Sequence, residues 1–155
     1  MQQRQLGSFQ VSAIGLGCMN ICHAYGAPVS EQQAERVLLG ALDAGVTHFD
    51  TAALYGFGAS ETLVGKYLSK HRSKFTLASK CGMQGVDVAG DGKLVRVIDG
   101  RPETIRATCE AALKRLRGRK FILTNAPRAY AERVIAVLGI GRCFDGLISI
   151  EDMRM

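Results

Sequence analysis

No apolar run in this chain approaches the ~20 residues needed to cross a bilayer, so no membrane-spanning helix and no membrane partner are expected. The opening Met1-Gln2-Gln3-Arg4-Gln5 leads into no long apolar core, which argues against a secretory leader. Five cysteines make an odd number with no regular framework. Cys18 and Cys22 are followed by His23, but no second close pair completes a zinc site. No metal is therefore expected, and reduced thiols in a cytoplasmic protein are the default. The chain also lacks internal repeats, low-complexity tracts and any stretch of linker composition.

What remains is ordinary globular material. Hydrophobic residues make up 47% and charged residues 22% of 155 positions, about one domain's worth. The net charge of +6 is unevenly placed. The first 100 residues carry 9 Lys/Arg against 8 Asp/Glu, and residues 101–155 carry 11 against 6. Arg115, Arg117, Arg119 and Lys120 concentrate the excess. Such a cluster suits nucleic acid, but cations at a helix C-terminus also complement its dipole. The second reading is preferred, and no nucleic-acid partner is expected.

The periodicity alternates between strand and helix. Residues 4–13 read as a hairpin around Gly7, and residues 13–17 as a small apolar strand. Ser30 with Gln33 forms a capping box. Ala34, Val37, Leu38, Ala41 and Leu42 then follow helical spacing until Gly45. Val46 to Phe49 predicts a strand, Ser60 to Leu68 a helix, and Phe75 to Ser79 another strand. Residues 84–99, with Gly90-Asp91-Gly92 between apolar pieces, predict a hairpin. Pro102 opens a helix whose stripe is Ile105, Thr108, Cys109, Ala112, Leu113 and Leu116. Phe121 to Leu123 is a strand, Ala131, Val134, Ile135 and Leu138 mark a helix closed by Gly139, and Leu147 to Ile150 is the last strand. Alternation of this kind predicts an α/β fold with a parallel sheet.

The chemistry concentrates in His48-Phe49-Asp50-Thr51-Ala52-Ala53-Leu54-Tyr55-Gly56 and in Ser79-Lys80-Cys81. One apolar run ends in an aspartate, a tyrosine follows in a glycine-bounded loop, and a second apolar run ends in a lysine. Two strand ends would aim Asp50, Tyr55 and Lys80 at one spot. An ammonium beside a phenol favours phenolate, which brings a group that titrates near ~10 closer to service as a general acid. Singly, each residue has a plainer reading: Asp50 caps a turn, Tyr55 packs, Lys80 is a solvated strand end. His48 shares a strand face with Asp50 and reads as a packed histidine, while His23 lies in a loop that could approach substrate. Gly15-Leu16-Gly17 is a poor dinucleotide fingerprint, because Asn20 stands where the third glycine belongs.

From about Leu6 to Leu116 these segments resemble the aldo-keto reductase family. The resemblance rests on Ile14-Gly15-Leu16-Gly17-Cys18-Met19, the FDTAALYG segment, Glu61-Thr62-Leu63-Val64-Gly65, Ser79-Lys80, and Arg101-Pro102-Glu103 leading to Ala112-Leu113-Lys114-Arg115-Leu116. It implies part of an eight-stranded (β/α)8 TIM-type barrel that binds NADPH and reduces small carbonyl substrates. It implies that Asp50, Tyr55 and Lys80 match three members of a catalytic tetrad. It also places Gly17, Cys18, Met19 and Asp50 near the cofactor. The fourth member, a histidine, has no counterpart, because no histidine follows His71. Thr124 and Asn125 end the strand where it would sit. A complete barrel needs ~250 residues, so an incomplete one is expected.

The segment Arg119 to Met153, with Phe121-Ile122-Leu123-Thr124-Asn125-Ala126-Pro127 and the FDGLISIED run, resembles instead the haloacid-dehalogenase-like phosphatases, particularly pyrimidine 5'-nucleotidases. That resemblance implies a phosphate-contacting role for Thr124, but the nucleophilic aspartate pair and the metal carboxylates are missing. The expected organisation is thus residues 1–117 as the N-terminal part of a reductase barrel and 118–155 as a βαβ segment of other origin. Two functions stay open: a truncated carbonyl reductase with weak NADPH binding, or a non-catalytic chimeric fragment. Open sheet edges would favour self-association in either case.

Overall fold

The computed structural model describes residues 1–22, 26–115 and 118–153. Strands β1 (Gln3–Leu6) and β2 (Phe9–Ser12) form an antiparallel hairpin, with Gly7 at φ +55° turning between them. The first strand–helix units follow as β3 (Leu16–Gly17), α1 (Glu31–Asp43), β4 (His48–Asp50), α2 (Ala59–Leu68) and β5 (Thr76–Ala78). A second hairpin, β6 (Met83–Val86) with β7 (Val95–Ile98), interrupts the alternation before α3 (Pro102–Arg115). The chain closes with β8 (Phe121–Leu123), α4 (Arg128–Leu138) and β9 (Gly146–Ile148).

The five core strands are parallel but form two groups. β3, β4 and β5 make one sheet in that order, and β8 pairs with β9. No ladder joins β5 to β8 among the described residues. Instead a cavity of ≈ 920 Å³ opens there, with His48, Thr76 and Leu77 on one wall and Phe121, Leu123 and Ile148 on the other. The N-terminal hairpin underlies both groups. Ser12 N and Thr47 Oγ1 lie 2.8 Å apart, Thr47 N donates to Ser12 Oγ at 2.8 Å, and Phe9 meets Phe121 edge-on with centroids 4.9 Å apart. The expected incomplete barrel is therefore seen as an α/β arc of parallel strands and not as a closed ring.

Burial is concentrated in the first half. Phe49, Leu38 and Leu68 are fully buried, with Cys18, Ala34 and Val64 between them, and Phe49 meets Phe75 edge-on at 5.3 Å. Each large side chain removed from water stabilises by about 1.5–3 kcal/mol. In β4 the alternation puts Phe49 against the helices and His48 and Asp50 on the cavity side. The capping box at Ser30 and Gln33 forms in both directions.

Several expectations need correction. Val37 is 47% exposed, because it lies on the flank of α1 away from α2, toward which Glu31 reaches to pair with Lys66. Val134 is also exposed, at 37%, although α4 packs on α3. The stripe of α3 is half-buried at Ile105, Thr108, Cys109, Ala112 and Leu113, and Leu116 lies outside the described residues. The strands are shorter than their apolar runs. Ile150 leaves the last one to start a 3-10 turn, which the Asp152 carboxylate anchors by accepting from Ser149 N at 2.7 Å.

Candidate active site

The site grows from three adjacent strand ends. Gly17 pairs with Asp50, and Asp50 with Ala78, so the C-terminal ends of β3, β4 and β5 lie in one row. The chain beyond each end stays stitched to its neighbour: Cys18 N donates to Asp50 O at 2.8 Å, Thr51 N to Ala78 O at 2.8 Å, and Ala53 N to Lys80 O at 3.1 Å. That register delivers Lys80 to Asp50. Its ammonium donates to Asp50 Oδ1 at 2.6 Å and to the Thr51 carbonyl at 2.7 Å, and stands 5.1 Å from the Tyr55 ring centroid. Asp50 and Lys80 line the large cavity; Tyr55 is half-buried and does not line it. With side chains 40% and 50% exposed, the ion pair adds at most ~1 kcal/mol to stability. Its effect is positional, since the aspartate fixes the ammonium against the tyrosine.

Tyr55 is carried by a wedged loop. Gly56, Phe57 and Gly58 all have positive φ (57°, 52° and 97°). At Gly56 a Cβ would come within 2.6 Å of Cys22 Cβ, so only glycine fits. Phe57 is the single positive-φ residue besides glycine among those described, a conformation that costs about 1–3 kcal/mol. Its ring lies flat against Gly85 of β6, where a Cβ would meet it at 2.4 Å. The second hairpin thus clamps the loop that holds Tyr55.

Beneath the strand ends runs a dry polar relay. Ser60 Oγ donates to the Cys18 carbonyl at 3.1 Å and lies 2.9 Å from Thr51 Oγ1. Serine has one hydroxyl proton, and Cys18 O receives it, so Thr51 is the donor in the second bond. Thr51, Ser60 and Cys18 are fully buried. Glu61, equally buried, accepts from Ser79 Oγ at 2.6 Å and so fixes the residue before Lys80. Burial pushes the Cys18 thiol up to about 12 and leaves it inert. The Cys18 backbone is held as well, its N–H donating to Asp50 O and its C=O accepting from Ser60, so Cys18 shapes the floor of the site and Gly17 presents the open surface. Gly17 opens on free space, with no atom within 4 Å of where its Cβ would stand, and Met19 beyond it is half-buried.

His48 takes no part in this set. Its Nδ1 lies 2.8 Å from Thr76 Oγ1, whose own proton goes to Thr47 O at 3.1 Å, so Nδ1 carries the hydrogen. Burial lowers its pKa and keeps the ring neutral. Thr124 Oγ1 accepts from Ala126 N at 3.1 Å and closes its own turn, while Asn125 is exposed. His23 lies outside the described residues. Sequence reasoning missed the relay and Glu61. One signal was present: the buried positions Val64 and Leu68 extend back by four to Ser60, marking it as an inward-facing polar residue.

Parallel strand ends that gather an Asp–Lys pair beside a tyrosine, on an arc of strand–helix units, define an α/β protein of the barrel class. Residues 13–123 match the sequence profile of the Aldo/keto reductase family. A probable aldo-keto reductase from Glycine max is 42% identical over 119 residues, covering 75% of this chain and 33% of that protein. An aldo-keto reductase [NADP(+)] from Schizosaccharomyces pombe is 36% identical over 115 residues, covering 73% of this chain and 32% of that protein. Among solved structures, an aldo-keto reductase from Bacillus halodurans in its holo form superposes with a TM-score of 0.67 at 27% identity, covering 97% of this chain and 51% of that one. A glycerol dehydrogenase from Gluconobacter oxydans gives 0.67 at 28%, covering 97% and 50%. The chain belongs to the aldo/keto reductase family, and it spans about a third of the length of those two sequence relatives.

Proposed function

We propose that this chain carries half of the site of an NADPH-dependent reductase of small aldehydes and ketones. Tyr55 donates the proton to the carbonyl oxygen, Lys80 sets the charge beside it, and Asp50 holds Lys80 in place. The observation that carries this reading is the Lys80 ammonium, bound to Asp50 Oδ1 and Thr51 O and 5.1 Å from the Tyr55 ring centroid. When bound, NADPH supplies the hydride. The Gly17, Cys18 and Met19 backbone and Asp50 would hold it, and the open face at Gly17 with the inward-turned Cys18 thiol supports that fit. Held by these groups alone, NADPH should bind more weakly than the micromolar range of ordinary enzyme ligands.

The second reading is a chain without turnover, set in the cytoplasm with its thiols reduced. It is favoured by the lack of a ladder between β5 and β8 among the described residues and by the turn-closing role of Thr124, which leaves no imidazole at that strand end. In this reading the organisation is 1–117 from a reductase and 118–155 of haloacid-dehalogenase-like descent, a parentage supported by the FILTNAP and FDGLISIED runs. Family-profile similarity extends through β8, to residue 123.

A reductase assay separates the two readings. With a reactive aldehyde, NADPH oxidation should be slow, since the lost proximity gain is worth roughly 7–11 kcal/mol. Whatever rate remains should vanish in Tyr55→Phe and drop in Lys80→Met, because general acid catalysis contributes ~10²–10⁴-fold. It should survive Thr124→Ala. A rate indifferent to Tyr55→Phe removes the proposed role of the Asp50–Tyr55–Lys80 set.

A further inference from the structure

Next to the strand-end lysine lies a pair of thiols that the reductase reading does not use. Cys81 Sγ and Cys109 Sγ are 3.6 Å apart, bringing the segment after β5 against the middle of α3. Both are reduced, and Cys81 is exposed to solvent. They share a cavity of ≈ 140 Å³ with four cationic residues, Arg72, Lys80, Arg119 and Lys120. Among the described residues lining that cavity there is no carboxylate. We propose that Cys81 and Cys109 form a thiol–disulfide exchange site that reacts with small anionic disulfides of the glutathione class and closes to an internal disulfide.

The steps balance without any further reactant. The Cys81 thiolate attacks one sulfur of the small disulfide, a new S–S bond forms, and one small thiolate leaves. Cys109 gives up its proton and attacks Cys81 Sγ, the mixed disulfide breaks, and the second small thiolate leaves. The protein loses two protons and two electrons, and the small disulfide gains both as two thiols. The Sγ–Sγ contact must shorten from 3.6 Å to about 2.05 Å, bringing the segment after β5 closer to α3 at this point. The thiol of Cys109 donates to Cys81 and lowers its pKa to about 7, against the desolvation that raises it. Cys109 itself is pushed up, first by that same hydrogen bond and then by burial. The order of attack follows: Cys81 reacts with the small molecule and Cys109 resolves. Burial holds Cys18 and Cys22 above the ordinary thiol value, which removes both as first nucleophiles.

The test exposes the purified, reduced chain to oxidised glutathione at neutral pH and follows it by intact mass and peptide mapping. The wild type should lose two hydrogens and yield a Cys81–Cys109 cross-linked peptide. Cys109→Ser should stop at a glutathione adduct on Cys81, and Cys81→Ser should leave Cys109 unmodified over the same time. The cationic disulfide cystamine should react at least several-fold more slowly at Cys81, a gap that salt narrows. A persistent glutathione adduct on wild-type Cys81, first labelling at Cys22 or Cys143, or labelling of Cys109 in Cys81→Ser would each overturn the site. Equal rates with cystamine would overturn its preference for anions. None of these readouts depends on reductase turnover.

Discussion

Ser60→Ala should cost far more stability than the loss of one surface hydroxyl. Ser60 Oγ receives the Thr51 proton and donates to the Cys18 carbonyl, and all three residues are fully buried. Alanine orphans a donor and an acceptor at once. Each buried group left unsatisfied costs ≈ 1–3 kcal/mol, so the pair predicts a loss of about 2–6 kcal/mol. Thr51→Val alone should cost only ~1 kcal/mol, because Ser60 keeps its bond to Cys18. In the double variant no hydroxyl is stranded at residue 51, so one orphan remains instead of two. The double variant should therefore be less destabilised than the sum of the singles by about 1–2 kcal/mol. Urea unfolding followed by circular dichroism measures all four corners of the cycle, with the slope m checked for constancy. Independent sites add to within ≈ 0.3–0.5 kcal/mol. Additivity within that margin would refute the relay and mean that water already satisfies these groups.

Further outcomes follow from other parts of the chain. Asp99 accepts from Arg101, Thr104 and Gln84, and the Arg101 guanidinium above all holds its carboxyl well below the usual carboxylate range. Its stabilisation is complete above the unfolded value of about 3.9 and is lost as pH falls from there toward the depressed folded value. Asp99→Asn should thus be less stable than wild type at pH 7, with the gap closing between pH ~4 and acid unfolding; a gap that widens there contradicts the assignment. No hydrolysis of nucleoside monophosphates is expected with magnesium, since phosphoryl transfer needs the missing metal carboxylates; turnover surviving repurification would restore the phosphatase reading of Thr124. Val137 is 75% exposed beside Tyr130 at 55% on the outer face of α4. The chain should self-associate with concentration in sedimentation experiments, and Val137→Lys should weaken that; association unchanged by the lysine places the contact elsewhere.

Much of the fold was legible because local signals and burial agree. Ser30, Gln33 and the Ala34–Leu38 spacing fixed α1, and Pro102 fixed the start of α3. Strand lengths were not legible. An apolar run such as Leu147 to Ile150 says that residues avoid water, and does not say where the hydrogen-bonded ladder stops. The Asp50–Lys80 contact could be anticipated from two strand ends of equal register, because parallel pairing puts Asp50 opposite Ala78 and Lys80 two residues on. The Cys81–Cys109 contact could not. It depends on how α3 seats against the end of β5, a tertiary choice that spacing along the chain does not encode. The exposed Val37 and Val134 fail for a related reason: periodicity marks an apolar stripe, but neighbouring helices decide how much of it is covered.

The geometry of the proposed half-site is independent of whether the arc closes. Among the described residues, the hydrogen bonds that place Asp50, Thr51 and Lys80 come from β3, β4, β5, the strand-end stitches and the first turn of α2. Tyr55 rests on the Gly56–Gly58 loop and, through Phe57, on β6. None of these supports is drawn from β8, α4 or β9. The deepest burial follows the same division, since the largest fully buried side chains lie between Cys18 and Leu68 with the one exception of Ser149. A low reductase rate would then point beyond the placement of Asp50, Tyr55 and Lys80. Supplying further reductase-barrel strands in trans should raise the rate without any change at Asp50, Tyr55 or Lys80. Adding an imidazole at residue 124 should do little alone, because among the described residues β8 does not pair with β5 and no ladder holds its end in register with Lys80.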